Sequence, residues 1–110
     1  MKISDIQCDA CRADASRVST EEARGFMEEL PEWSIDSDAG VDKLRRVFSF
    51  PDFVSALDFT NKVGALAEEY NHHPDILTEW GKTTVTWWSH KIKGLHQLDF
   101  ALAKKTQELL

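Results

Sequence analysis

The sequence predicts an α+β domain in which a four-stranded antiparallel sheet carries its helices on one face. Three segments place apolar residues at the spacing of an amphipathic helix. Four short stretches are rich in residues that favour strands, and they occur as two pairs with a short connection inside each pair. Because strands joined by short turns pair antiparallel, the order α-β-β-α-β-β-α predicts two hairpins in one sheet.

The first predicted helix begins after a polar leader. We assign residues 1–18 to this leader and residues 19–110 to a single domain. Ser19 and Glu22 match a capping box, in which the two side chains satisfy exposed backbone N–H groups at a helix start. Pro31 then ends the helix, because proline cannot continue helical hydrogen bonding.

A hairpin follows this helix. Trp33 and Ile35 alternate with polar neighbours, which is the pattern of a short strand. The next residues favour a turn, namely Asp36, Ser37, Asp38 and Gly40. The second strand covers about 42–50, and Arg46 interrupts its apolar face, so we expect Arg46 near an edge of the sheet.

The second half of the chain repeats this order. An amphipathic stripe predicts a long helix over about 51–70, and Asn71 can end it in a left-handed conformation. Two strands are predicted at 76–80 and 83–89, the latter in a central position because it is rich in strand formers. A last helix is predicted from about 96 to 109.

Composition limits the classes of function. The chain has 110 residues and a formal net charge of −6, which argues against a broad nucleic-acid contact and against an anionic membrane surface. No apolar run approaches the roughly 20 residues needed to span a bilayer, and the N-terminus lacks the apolar block of a signal peptide. We therefore expect a cytoplasmic protein whose partner is a small molecule or another protein.

The leader contains the only two cysteines, Cys8 and Cys11. They could be half of a shared metal site or a redox pair. A structural zinc site normally has four ligands, and the sequence contains no second pair. We favour the interpretation that they are two reduced thiols on a terminal segment.

Three of the four histidines are predicted to lie together. His72 and His73 follow the long helix, and His90 follows the last strand of the next hairpin. Antiparallel pairing brings these two chain positions to the same end of the sheet. Glu68 lies one helical turn before His72, so its carboxylate can reach the same loop.

Such a cluster suits acid–base catalysis, since imidazole gives and takes protons near neutral pH. Adjacent histidines in a loop are also often only solvated. Three histidines and a glutamate could alternatively bind zinc. Against zinc, the side chains of His72 and His73 diverge in an extended segment, so they cannot easily face one metal ion.

One family shows the same pattern. It has a glutamate, three further residues, His-His-Pro, an aromatic residue, a histidine and a downstream aspartate. The matching residues here are Glu68, His72, His73, Pro74, Trp80, His90 and Asp99. The chain thus resembles the pterin-4a-carbinolamine dehydratase family, bacterial type, over about residues 20–105.

The resemblance implies an activity, 4a-hydroxytetrahydrobiopterin dehydratase, a hydro-lyase. Such an enzyme removes water from the 4a-hydroxytetrahydropterin that aromatic amino-acid hydroxylases release, and so recycles their cofactor. The resemblance also implies no cofactor and no metal, a homodimer or homotetramer, and a possible functional link to phenylalanine hydroxylase. A protein-binding role in dimerisation or regulation, without essential catalysis, is the alternative.

The resemblance further implies that His72, His73 and His90 line the pterin pocket. We favour His72 and His90 as the proton-transfer pair, with His73 contacting the hydroxyl group or the ring, and the acid and the base stay unassigned. Glu68 is expected to orient or charge His72.

Other residues are expected near the substrate or in supporting roles. Trp88 shares a strand face with His90 and is the better aromatic wall, with Pro74 and Trp33 as further candidates for substrate contact. Asp99 is expected first as a structural residue that completes a capping box with His96.

Overall fold

The computed structural model describes residues 17–110. It contains three helices and four strands: α1 (Thr20–Met27), β1 (Ser34–Asp38), β2 (Val41–Ser49), α2 (Phe53–Tyr70), β3 (Asp75–Glu79), β4 (Lys82–Trp87) and α3 (Gln97–Gln107). Cys8 and Cys11 lie outside the described residues, as does most of the predicted leader. Within residues 17–110, no helix combines the length and the hydrophobicity needed to cross a membrane.

The four strands form one antiparallel sheet in the order β1-β2-β4-β3. Helix α2 packs against β3 and β4, and α3 packs against β4 and β2. Large buried side chains from sheet and helices fill the space between them, among them Leu44, Val63, Trp87 and Phe100. The predicted fold class and element order are confirmed, and β4 is a central strand as expected.

The first hairpin turns later than the sequence indicated. Residues 36–38 were expected in the turn, but they belong to β1, and the turn consists of Ala39 and Gly40. Both have positive φ, 52° and 83°, which is the geometry of a tight two-residue hairpin. Asp38 is held in the strand by a contact of 3.0 Å between its carboxylate and Lys43 Nζ across the hairpin.

The prediction that Arg46 lies near an edge of the sheet is correct only in part, because Arg46 is the first residue of β2 beyond its pairs with β1. Strand β2 lies between β1 and β4, so Arg46 is on an interior strand. Its Nη1 donates a hydrogen bond of 3.2 Å to Gln107 Oε1, and its guanidinium lies 4.3 Å from the centre of the Phe48 ring. A long cationic side chain is tolerated there because its stem covers apolar surface while its head finds a partner.

Helix α2 is bounded by two caps that fix the start of the next segment. Asp52 accepts a hydrogen bond from the backbone N–H of Ser55 at the N-terminus. At the C-terminus Asn71 adopts the predicted left-handed conformation, with φ of 49°. This reversal directs the chain out of the helix at His72 and back along the sheet edge.

Candidate active site

Four element ends meet on one side of the molecule. The end of α2 leads into the start of β3, while the end of β4 leads into the start of α3. Because Asp75 pairs with Thr86, continuing the same register brings residues 72–74 beside residues 87–89. The segment with His72 and His73 therefore runs next to the segment that precedes His90, as the sequence predicted.

A fully buried carboxylate joins these segments. Asp99, in the first turn of α3, is 0 % exposed. Its Oδ1 lies 2.8 Å from His72 Nε2. Its Oδ2 accepts hydrogen bonds from Ser89 Oγ at 2.7 Å and from the backbone N–H of His96 at 2.9 Å. One carboxylate thus binds the ring of His72, the hydroxyl group of Ser89 and the backbone N–H of the residue that caps α3.

His72 is therefore oriented by a different carboxylate from the one expected. The sequence indicated Glu68, but the structure brings Asp99 to the ring of His72. The His72 ring is buried and lies nearly parallel to the indole of Trp87, with 5.9 Å between ring centres and 7° between planes. Packing on one side and a buried anion on another leave this imidazole with little freedom to rotate.

Glu68 contacts His73 instead. Its Oε2 lies in hydrogen-bond contact with His73 Nε2. The helix end explains this pairing, because the left-handed Asn71 turns His72 inward and His73 outward. The side chains of His73 and Glu68 are 54 % and 76 % exposed, so the pair is solvated and its electrostatic energy is small.

His90 stacks on Trp88. The centres of the two rings are 3.9 Å apart, and their planes differ by 24°. Trp88 is held in turn by a hydrogen bond of 3.2 Å from its indole N–H to Asp75 Oδ2. Lys43 Nζ also lies 4.4 Å from the centre of the Trp88 ring. The predicted pairing of Trp88 with His90 is present, but one face of the indole is already covered by the imidazole.

The remaining predicted residues occupy different surroundings. Pro74 is partly buried between His73 and β3. Trp33 is buried in the core, with its indole N–H 3.1 Å from Gln107 Oε1. Trp80, the aromatic residue of the motif, is exposed at the turn between β3 and β4.

Two features of the site are not predicted by the sequence patterns. The sequence pattern does not single out Ser89, whose hydroxyl binds the buried carboxylate. Asp99 was assigned only a capping role; it does cap α3, together with His96, whose Nδ1 accepts the Leu98 N–H at 3.1 Å. An aspartate in a largely apolar helix start was the available signal, because a buried carboxylate needs several donors.

The zinc alternative finds no support in the described part of the chain. Within residues 17–110, no three or more histidine, cysteine, aspartate or glutamate side chains are grouped so that they could hold a metal ion.

The fold and the site together define a small α+β protein with imidazoles and carboxylates gathered at one end of a sheet. A family model described as "Pterin 4 alpha carbinolamine dehydratase" matches residues 16–109. The chain therefore belongs to the pterin-4-alpha-carbinolamine dehydratase family, whose named members are hydro-lyases.

Two sequence relatives share the family name. A Nitrosococcus oceani protein is 58 % identical over 108 residues, which covers 98 % of this chain and 96 % of the relative. A Hahella chejuensis protein is 53 % identical over 100 residues, or 91 % and 89 % of the two chains. Both are named "Putative pterin-4-alpha-carbinolamine dehydratase".

Two solved structures share the fold. A Brucella melitensis protein named "transcriptional coactivator/pterin dehydratase" superposes with a TM-score of 0.76 at 26 % identity, over 86 % of this chain and 98 % of that one. A pterin dehydratase-like protein, identified as a RuBisCO assembly factor in the alpha-carboxysome, superposes with a TM-score of 0.60 at 20 % identity. The second match covers 71 % of this chain and 88 % of that one, and it bears on the fold alone.

Proposed function

We propose that this chain is a 4a-hydroxytetrahydropterin dehydratase that acts by histidine acid–base catalysis. The reaction breaks the bond between carbon 4a and its hydroxyl oxygen, releases water, and leaves a quinonoid dihydropterin. One proton must reach the leaving hydroxyl group, and another must leave the neighbouring ring nitrogen. The observation that best supports the proposal is the buried Asp99 behind His72, at the sheet end that also holds His73 and His90.

A carboxylate behind an imidazole performs a definite task in acid–base catalysis. It holds the ring in one orientation, favours the tautomer whose N–H points at the carboxylate, and stabilises the ring when it gains a proton. Asp99 stands in this relation to His72 Nε2. The other nitrogen of His72, Nδ1, is then the atom that exchanges a proton with substrate.

His90 is the proposed partner in proton transfer. It is exposed and held against Trp88, so a flat substrate can reach its edge while the ring keeps its position. His73 is exposed as well, and it lies in hydrogen-bond contact with Glu68. We assign His73 to contact with the leaving hydroxyl group or the pterin ring.

Substrate contact beyond the histidines is assigned to Trp88 and Pro74. Pterin is flat with polar edges, so an aromatic edge and a rigid apolar ring provide a suitable wall. Trp33 offers little surface to a ligand because it is buried in the core.

The test is a dehydration assay. Freshly generated 4a-hydroxytetrahydropterin is followed by ultraviolet absorbance with EDTA-treated protein. Wild type should accelerate its decay, and His72→Ala should lower kcat by about 10²-fold or more, because a positioned acid–base group contributes about that much. Glu69→Gln, an exposed carboxylate next to Glu68, is the matched control and should keep wild-type activity. A wild-type rate equal to the spontaneous rate would refute the proposal.

The proposed cellular setting follows from the reaction. The substrate is the product of aromatic amino-acid hydroxylation, so we propose that the chain works with a phenylalanine hydroxylase, by sharing pterin rather than by necessary contact. We also propose a homodimer or homotetramer, which the resemblance implies and which exposed apolar side chains on α2 support.

A protein-binding role is the second candidate. The Brucella melitensis protein is named both as a transcriptional coactivator and as a pterin dehydratase. The sheet face opposite the helices supports this role here, because Val47 and Leu77 are exposed on it among charged residues. Dehydratase activity that survives Leu77→Asp while partner capture is lost would show that the two roles coexist.

A further inference from the structure

The loop that presents His90 is closed at its base by a backbone pair. The Ser89 N–H donates to the Gly94 carbonyl at 2.8 Å, and the Gly94 N–H donates back at 3.4 Å. Residues 90–93 form the turn between them. Lys93 has a φ of 50°, a left-handed conformation that is uncommon for a residue with a side chain.

The segment that precedes α1 lies across this loop. The Nε–H of Arg17 donates a hydrogen bond of 2.7 Å to the Ile92 carbonyl, and 75 positions separate the two residues. The N–H of Val18 donates to the Leu95 carbonyl at 2.8 Å. Two consecutive residues far away in sequence therefore bind the turn and Leu95, in the segment between the turn and α3.

Gly94 provides the room for this contact. A methyl group at this glycine would lie 3.0 Å from Arg17 Cδ and 3.2 Å from Arg17 Nε, both of which are closer than an ordinary contact. The stem of Arg17 thus runs over the glycine before its guanidinium reaches the Ile92 carbonyl. A side chain at this position would therefore require the arginine to shift by a few tenths of an ångström.

We propose that Arg17 is a positioning residue for His90. Asp99 fixes the base of the loop through Ser89, and Trp88 supports the His90 ring from one face. Neither contact restrains the far side of the turn, where Arg17 binds the Ile92 carbonyl. Loss of this hydrogen bond weakens the restraint on the turn at Ile92, so the imidazole leaves its stacked position for part of the time.

The first arm of the test measures catalysis, and this arm rests on the proposed function of the site. Arg17→Ala should lower kcat by about 10- to 100-fold with little change in KM, since a small displacement of a catalytic group has effects of this size. In a His90→Ala background the same change should lower kcat by less than about two-fold, because the group that Arg17 positions is absent. Arg24→Ala removes an exposed arginine of α1 and should leave kcat unchanged.

The second arm measures the position of His90 and needs no activity. The indole of Trp88 shifts the ring protons of a stacked imidazole upfield in a proton–carbon NMR spectrum. The chain has four histidines, and the signal lost in His90→Ala assigns the relevant one. Arg17→Ala should remove most of this shift, and Arg24→Ala should retain it.

Gly94→Ala tests the same contact with the arginine still present. The added methyl group should shift the Arg17 side chain by a few tenths of an ångström and weaken its hydrogen bond to the Ile92 carbonyl. The His90 signal should then move in the same direction as in Arg17→Ala, by a smaller amount. In the double variant the clash is gone, so Gly94→Ala should add nothing to Arg17→Ala. This variant also keeps the test available if Arg17→Ala folds poorly.

The outcomes separate this inference from the proposed function. If wild type has no dehydratase activity but Arg17→Ala moves the His90 signal, the positioning role stands and the proposed function fails. If Arg17→Ala leaves the His90 signal unmoved, the positioning role is refuted. A loss of kcat that persists unchanged in the His90→Ala background also refutes it, because Arg17 then acts on something other than His90.

Discussion

Two histidine–carboxylate contacts of the site differ in burial, and this difference determines what each can do. His72 and Asp99 are buried, so their interaction is weakly screened and the carboxylate depends on its three donors. His73 and Glu68 are exposed, so water competes with each partner. The buried pair orients an imidazole, whereas the exposed pair holds its side chains only loosely.

We expect Asp99→Asn to damage activity far more than Glu68→Gln. The asparagine presents an amide N–H₂ to groups that donate hydrogen bonds, so the variant should lose about 1–3 kcal/mol of unfolding free energy. It should also lose about 10²-fold or more in kcat, because His72 is no longer held in one tautomer. Glu68→Gln should change the unfolding free energy by less than about 1 kcal/mol.

Urea denaturation and the dehydration assay, run well below the melting temperature of each variant, measure both effects. Equal losses of kcat in the two variants would contradict the assignment of Asp99 as the orienting carboxylate. Glu69→Gln serves again as the exposed-carboxylate control.

The meeting of the two chain segments could be predicted from the sequence, but not the contacts that each side chain makes. Hairpin topology brings the segment with His72 and His73 beside the segment before His90, whereas His72 packs on Trp87 and His90 packs on Trp88. Which carboxylate binds which imidazole depends on the direction of each side chain after Asn71 and at the start of α3. Those directions follow from the packing of His72 on Trp87 and from the hydrogen bond between Ser89 and Asp99. Neither contact can be read from the spacing of residues in the sequence.

At the level of elements, the ends of helices and strands set the geometry of the site. The caps at Ser19, Asn71 and His96 could be predicted because their signals are local. The turn of the first hairpin could not, because residues 36–38 have turn-forming side chains but pair with β2. Cross-strand contacts overrode local preference there.

The N-cap of α2 should make the stability of the protein depend on pH. The Ser55 backbone N–H, followed by the Ser55 side chain, holds the pKa of Asp52 below its ordinary value of 3.8, against a smaller opposing effect of desolvation. Because the folded pKa is the lower one, the stabilisation is fully present above the ordinary value. It is lost as pH falls through the folded value.

Asp52→Asn keeps a capping oxygen and removes the charge, so it tests this effect directly. Its melting temperature should lie a few degrees below wild type at about pH 6, and the difference should shrink at about pH 3. Asp58→Asn, an exposed carboxylate further along α2, is the matched control and should show no such trend. A difference that grows on acidification would contradict the assignment.

At the level of the whole molecule, one helical surface has no partner within the described residues. Phe53, Val54 and Leu57 lie in the first turns of α2 and are 43 %, 66 % and 41 % exposed. A protein of this size rarely leaves clustered apolar side chains in water without a use for them. The sheet face opposite the helices is a second surface with exposed apolar side chains, namely Val47 and Leu77.

We expect the α2 surface to join copies of this chain. Analytical ultracentrifugation or light scattering should give a mass that is a multiple of the 12.5 kDa chain, and Val54→Glu should reduce that multiple. A buried charge without a partner is costly, so one substitution should be enough to separate copies at this surface.

Leu77→Glu is the comparison variant for the β3 side and should leave the mass unchanged. If Leu77→Glu separates the copies and Val54→Glu does not, the sheet face opposite the helices is the interface. Dehydratase activity of the separated Val54→Glu protein then shows whether the histidine site is complete within one chain, as the contacts of Asp99 with His72 and Ser89 lead us to expect.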